Sequence, residues 1–189
     1  VTRIIAGVAG GRRLAVPPGT GTRPTSDRVR ESLFSRLESL GAVDGARVLD
    51  LYAGSGALGL EAVSRGAVSA VLVEADRRAA DVARRNARDL GLGGVRVVTD
   101  RAERYLAAAA GRGEAVDLVL CDPPYALAGD ALTAVLAGIV RVLAPGGVVA
   151  VERSARAGKP GWPPGLSALD GRVTGETAVW LATAPIRSS

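Results

Sequence analysis

Arg47-Val48-Leu49-Asp50-Leu51-Tyr52-Ala53-Gly54-Ser55-Gly56-Ala57-Leu58-Gly59 runs from an apolar stretch through a glycine-rich turn into a helix-forming segment. A strand that feeds a helix through such a turn opens a parallel, doubly wound sheet. The pattern recurs downstream. Residues 70–74, 95–98, 116–120 and 148–151 read as strands. The intervening segments, across 77–90, through 107 and from about 130 to 143, read as helices. Short apolar strands alternating with helices predict a mostly parallel sheet covered on both faces. Upstream, Thr25-Ser26-Asp27 caps a helix to about residue 40, with Val29, Leu33, Phe34 and Leu37 at helical spacing. Residues 4–8 and 12–16 flank Gly10-Gly11 and predict a hairpin, and 17–21 a loop. Beyond Pro160, 166–173 and 177–182 read as two strands without a long helix between them, suited to an antiparallel edge.

The 189 residues suit one α/β domain with a small addition, and 48% hydrophobic residues suffice for a core. No apolar run reaches the ~18 residues of a membrane span, and no secretory leader is visible, so a cytoplasmic protein is expected. Histidine is absent, which excludes histidine general bases and histidine metal ligands; no metal is expected. One cysteine, Cys121, excludes an internal disulfide. Basic residues total 24 and acidic residues 19. Residues 1–30 hold Arg3, Arg12, Arg13, Arg23, Arg28 and Arg30 against Asp27 alone, while the remainder is balanced. A basic segment on a neutral body suits a polyanionic partner, and equally a solvated surface.

Gly54-Ser55-Gly56-Ala57-Leu58-Gly59 also satisfies the dinucleotide fingerprint G-x-G-x-x-G. Asp50, four residues ahead of the first glycine, would repel a pyrophosphate and favour a cationic ligand. Glu74 closes the second strand, where an acid can bind ribose hydroxyls. Asp100, followed by Arg101, closes the third, where a carboxylate can accept from an adenine amino group. Singly, Glu74 is equally a solvated turn residue and Asp100 a helix cap. Three acids at the ends of three successive strands favour one shared site. S-adenosylmethionine, with its sulfonium and ammonium and no phosphate, fits this set.

Cys121-Asp122-Pro123-Pro124-Tyr125 follows the fourth strand. Together with Asp50-Leu51-Tyr52-Ala53-Gly54-Ser55-Gly56 it resembles the signature of methyltransferases acting on the amino groups of bases. Arg3-Ile4-Ile5-Ala6-Gly7, Gly11-Arg12-Arg13-Leu14 and residues 23–34, Arg23-Pro24-Thr25-Ser26-Asp27 onward, resemble the RsmD family specifically. That resemblance implies a Rossmann-like class I methyltransferase with a seven-stranded, mostly parallel sheet and an antiparallel edge strand. A small N-terminal β-hairpin would precede it. The expected division is 1–25 for the basic hairpin and loop and 26–189 for the S-adenosylmethionine-dependent domain. It implies methylation of a guanine N2 in 16S rRNA, with 16S rRNA or the small ribosomal subunit as partner; a monomer is expected. Cofactor contacts are then expected from Asp50, Tyr52, Ala53, Gly54, Ser55, Gly56, Glu74, Asp100, Arg101 and Asp122. Substrate contacts are expected from Arg3, Arg12, Arg13, Arg23 and Thr25.

The catalytic group is Asp122, Pro123, Pro124 and Tyr125. An exocyclic amine is a poor nucleophile because its lone pair is delocalised. The Asp122 carboxylate and the Pro123 carbonyl can accept its N–H bonds, with the prolines fixing that carbonyl. Tyr125 can stack on an unpaired or flipped base. Cytosine-C5 methylation would need Cys121 on an exposed loop, whereas it ends an apolar strand. A DNA amino-methyltransferase is the near alternative, though no separate target-recognition domain is visible. A nicotinamide-dependent oxidoreductase would leave Asp122 to Tyr125 unexplained, and a ribosome-assembly binding protein would not need that motif.

Overall fold

The structure, a computed structural model, describes residues 2–19 and 26–188. Among these residues the chain forms five α-helices and seven strands, alternating as far as the fifth strand. They are α1 (Asp27–Ser39), β1 (Arg47–Leu51), α2 (Ala57–Ser64), β2 (Ser69–Glu74), α3 (Arg77–Leu90), β3 (Val95–Thr99) and α4 (Ala102–Gly111). There follow β4 (Val116–Cys121), α5 (Gly129–Val140), β5 (Leu143–Ser154), β6 (Ser167–Thr174) and β7 (Thr177–Thr183). One sheet takes the order β3-β2-β1-β4-β5-β7-β6. Its first five strands are parallel, and β7 and β6 close one edge antiparallel. The fold is the Rossmann-like class I methyltransferase architecture that the sequence predicts.

Alternation along the strands builds two cores. Val48, Leu72, Leu118 and Leu120 pack in one cluster with Phe34 and Leu37 of α1, Leu60 of α2 and Ala83 of α3. Leu49, Leu51, Val73, Val119 and Cys121 pack in the other with Tyr105 and Leu106 of α4 and Leu136 and Ile139 of α5. Helix starts follow their caps: Ser26 accepts the Val29 N–H, and Asp76 accepts the Ala79 N–H. Among the described residues no helix is long and apolar enough to cross a membrane.

Two expectations need adjustment. The helix read from 130 to 143 ends at Val140. Leu143 already pairs with Val116 of β4, and the Val116 N–H donates to the Val142 carbonyl. An uncapped apolar run has no period that separates helix from buried strand. The N-terminal hairpin is also shorter than read. It holds one antiparallel bridge, Arg3 with Arg13, supported by Ile4 N–H to the Arg12 carbonyl at 2.9 Å and Leu14 N–H to the Thr2 carbonyl at 2.9 Å. Residues 5 and 6 leave the ladder because the Glu61 carboxylate of α2 accepts both their N–H groups, at 2.8 and 3.1 Å.

Candidate active site

The chain reverses its direction of travel across the sheet at β1, which has β2 on one side and β4 on the other. Crevices for ligands open at the carboxyl ends of strands at such a switch point. The register pairs Leu51 with Val73 and with Cys121, and Val73 with Val98. The next residues, Tyr52, Glu74 and Asp122, therefore emerge together at one end, with Asp100 just beyond β3. The candidate residues of four separate strands are thus gathered at one place.

The glycine loop is held tightly. Gly56 sits at φ 88°, and a Cβ there would meet Leu72 Cδ2 at 2.6 Å, so only glycine lets α2 begin this close to β2. Gly56 offers no side chain to cap α2. Asp50 does this instead: its Oδ2 accepts the Gly59 N–H at 2.9 Å. The Asp50 carboxyl therefore lies beneath the loop, 1% exposed, rather than open to a ligand. Its Oδ1 is buried without a partner. Burial pushes the Asp50 pKa up to about 7; the Gly59 bond opposes this and the Glu74 charge adds to it.

Glu74 is the acid that meets the loop. One carboxylate oxygen accepts the Gly54 N–H at 2.9 Å and the other accepts the Asp76 N–H at 2.8 Å. Asp100 accepts the Arg101 N–H at 2.8 Å, and its own N–H donates to the Glu74 carbonyl at 3.1 Å, tying β3 to β2. It does not cap α4, whose N-cap is Arg101 without a side-chain bond. The Arg101 side chain is exposed. Tyr52 has φ 59°, which a bulky residue occupies only under constraint. Its hydroxyl is buried without a partner, and burial, with Cys121 and Glu103 nearby, pushes its pKa up. Ala53 and Ser55 complete the loop, half-buried.

On the far side of β1, Asp122 is half-buried, Pro123 buried, and Pro124 and Tyr125 exposed. The Leu127 N–H donates to the Pro124 carbonyl at 2.9 Å and closes the turn. Cys121 is buried beneath it with its thiol pKa pushed up by burial, which removes it as a nucleophile at neutral pH. Val151 pairs with Cys121, so Glu152, Arg153 and Ser154 emerge at the same end as Asp122. Arg153 Nη1 donates to the Gly158 carbonyl at 2.9 Å, folding back a 3₁₀ turn (Ala155–Ala157) that leaves Arg156 and Lys159 exposed. Sequence reading assigned no role to this basic lip. Among the described residues no cluster of acids and cysteine could hold a metal.

Of the predicted substrate residues, Arg23 and Thr25 lie outside the described residues. Arg3 pairs with Asp27 at 3.0 Å, Arg12 donates to the Asp89 carbonyl at 2.8 Å, and Arg13 is exposed. Ile4, Ala9 and Leu14 between them belong to the core cluster of α1 to α3, so the segment is fixed to the body. Three residues that fix it were missed. Glu61 holds residues 5 and 6, Ser64 accepts the Ala9 N–H at 2.9 Å, and Asn86 accepts the Ala15 N–H at 2.9 Å. Asn86 carried a legible signal, because it lies in phase with buried Ala79, Ala83 and Leu90 on α3.

A family model described as "Conserved hypothetical protein 95" matches residues 2–183. Ribosomal RNA small subunit methyltransferase D of Escherichia coli (strain K12) is 46% identical over 123 residues, 65% of this chain and 60% of that protein. The chain thus aligns with about three fifths of that relative's length. Among solved structures, the Escherichia coli protein yhhF superposes with a TM-score of 0.85 at 35% identity, covering 98% of this chain and 99% of that one. A hypothetical protein of Thermus thermophilus, TTHA0928, gives 0.81 at 37% identity, covering 96% and 98%.

Proposed function

The chain belongs to the RsmD family, and on that premise we propose that it transfers a methyl group from S-adenosylmethionine to the N2 amino group of a guanine in small-subunit ribosomal RNA. One observation carries the reading. The turn of Asp122 to Tyr125 emerges on β4 directly beside the glycine loop and Glu74, so acceptor and donor sites adjoin across β1.

The residues present fit S-adenosylmethionine better than a dinucleotide. A pyrophosphate needs free N–H groups at the helix start. Here the Gly59 N–H of the first turn of α2 is taken by Asp50, and in the preceding loop Glu74 takes the Gly54 N–H and the Ala53 carbonyl that of Gly56. The Glu74 carboxylate against the loop repels phosphate and attracts a cation. Glu74 would hold the ribose hydroxyls and Asp100 the adenine amino group, with Tyr52, Ala53, Ser55 and Arg101 around them. When bound, S-adenosylmethionine would supply an electrophilic methyl on its sulfonium, with S-adenosylhomocysteine as the leaving group.

The chain's own groups do the rest. The Asp122 carboxylate and the Pro123 carbonyl accept the two N–H bonds of the guanine amine and turn its lone pair toward the methyl. The proton that the amine loses on accepting a methyl would pass to Asp122 or to water. The exposed Tyr125 ring stacks on the extruded base and fixes its plane. Residues 26–189 form the methyltransferase domain in this reading, and residues 1–25 extend it toward the RNA phosphates. Labelled methyl transfer onto small-subunit RNA, free or within the small ribosomal subunit, compared with duplex DNA, tests the proposal. Label in the RNA alone supports it; label in DNA alone, or in neither, overturns it.

A further inference from the structure

Asn86 is the one polar residue on the buried face of α3, 3% exposed. Its amide is used on both sides. Oδ1 accepts the Ala15 N–H at 2.9 Å, and Nδ2 donates to the Ala15 carbonyl at 3.0 Å. The same Nδ2 donates to the Ser55 carbonyl at 2.9 Å. One side chain therefore joins the backbone that follows Arg12 and Arg13 to the glycine loop between Gly54 and Gly56. The loop is held from its other side by Glu74, through the Gly54 N–H.

We infer that Asn86 is a positioning residue that couples binding on the basic N-terminal segment to binding at the glycine loop. The inference rests on the methyltransferase reading for the identity of the two ligands, but not for the bridge. A buried amide making three bonds has few alternative placements, because leaving any one of those groups unpaired is costly. A shift of the segment at Ala15 when polyanion binds must therefore be absorbed either at Asn86 or at Ser55. A displacement of the segment at Ala15 is thereby passed to the loop at Ser55, and the second ligand then meets a loop already adjusted. Linkage requires the effect to be reciprocal. Other contacts hold the segment without touching the loop: Ser64 Oγ accepts the Ala9 N–H and donates to the Ala6 carbonyl at 2.7 Å. They provide a control that loosens the segment alone.

The test measures the affinity of unmethylated small-subunit ribosomal RNA with and without saturating S-adenosylhomocysteine, and the converse, in the full chain. In the wild type each ligand is expected to tighten the other by the same factor, roughly tenfold. Asn86→Ala should bring that factor close to one. Asn86→Asp should do the same, since it keeps the size and the Ala15 N–H contact but removes both donations. Ser64→Ala should weaken RNA binding while leaving the factor unchanged. A wild-type factor of one, or a factor preserved in either folded Asn86 variant, overturns the inference. The wild-type measurement decides even if neither variant folds. A wild type that binds neither probe would instead refute the methyltransferase reading.

Discussion

Asp50 caps helix α2 from outside the helix: its Oδ2 accepts the Gly59 N–H at 2.9 Å, a bond the N-cap residue Gly56 cannot make. Gly59 permits that approach, since a Cβ there would meet Leu72 Cδ1 at 2.9 Å and Asp50 Oδ2 at 3.1 Å. Gly59→Ala should therefore destabilise the fold by ~1–3 kcal/mol through overpacking. Chemical denaturation of the two proteins checks this, and equal stability would mean that α2 moves aside freely.

Asp50 also gives stability a pH dependence. Its carboxyl is neutral below its ordinary range in both folded and unfolded chains. In the folded chain its pKa stands at about 7, so ionisation is resisted there. The raised value means that stability is full at low pH and is lost as pH rises from ~4 through ~7, by ~4 kcal/mol at most. Asn at this position does not titrate. Wild type should lose stability relative to Asp50→Asn between pH 5 and pH 8, and parallel curves would contradict the buried, neutral carboxyl.

Glu74 should separate cofactor binding from chemistry. Glu74→Ala removes the proposed ribose acceptor and the partner of the Gly54 N–H, weakening cofactor binding by ~1–3 kcal/mol. Calorimetry with S-adenosylhomocysteine reads this directly. Unchanged affinity in a folded variant would remove Glu74 from the cofactor site.

The arginines of the N-terminal segment are a candidate RNA surface. Replacing Arg3, Arg12 and Arg13 together with Ala should weaken RNA binding and flatten the log–log salt slope by roughly 2 units, with cofactor affinity little changed. Arg3 and Arg12 also hold Asp27 and the Asp89 carbonyl, so a thermal melt must accompany the titration. An unchanged slope would make this segment a solvated surface only.

Most of the fold was legible because strand and helix periods are local. Residues 47–59 alone specify a strand, a glycine-rich turn and a helix. The failures arise where a distant group decides. Residues 5 and 6 look like strand, yet Glu61 takes their N–H groups, and no local pattern announces a partner 56 residues away. Leu143 looks like helix, yet β4 claims it. At the site, the spacing of Asp50, Glu74, Asp100 and Asp122 located the strand ends correctly. The direction of the Asp50 side chain was not legible, because it depends on how closely α2 approaches β1. Asn86 was visible only as one polar residue in a buried helical phase.

In the proposed reaction Asp122 presents a guanine amino group to the methyl donor. This role is tested most directly by nucleoside mass spectrometry of unmethylated small-subunit RNA after incubation with S-adenosylmethionine and either wild type or Asp122→Ala. Wild type should yield N2-methylguanosine, and the variant, folded and binding S-adenosylhomocysteine normally, should yield it slower by ~2 or more orders of magnitude. A methyl on any other atom, or a variant that methylates at the wild-type rate, would contradict it.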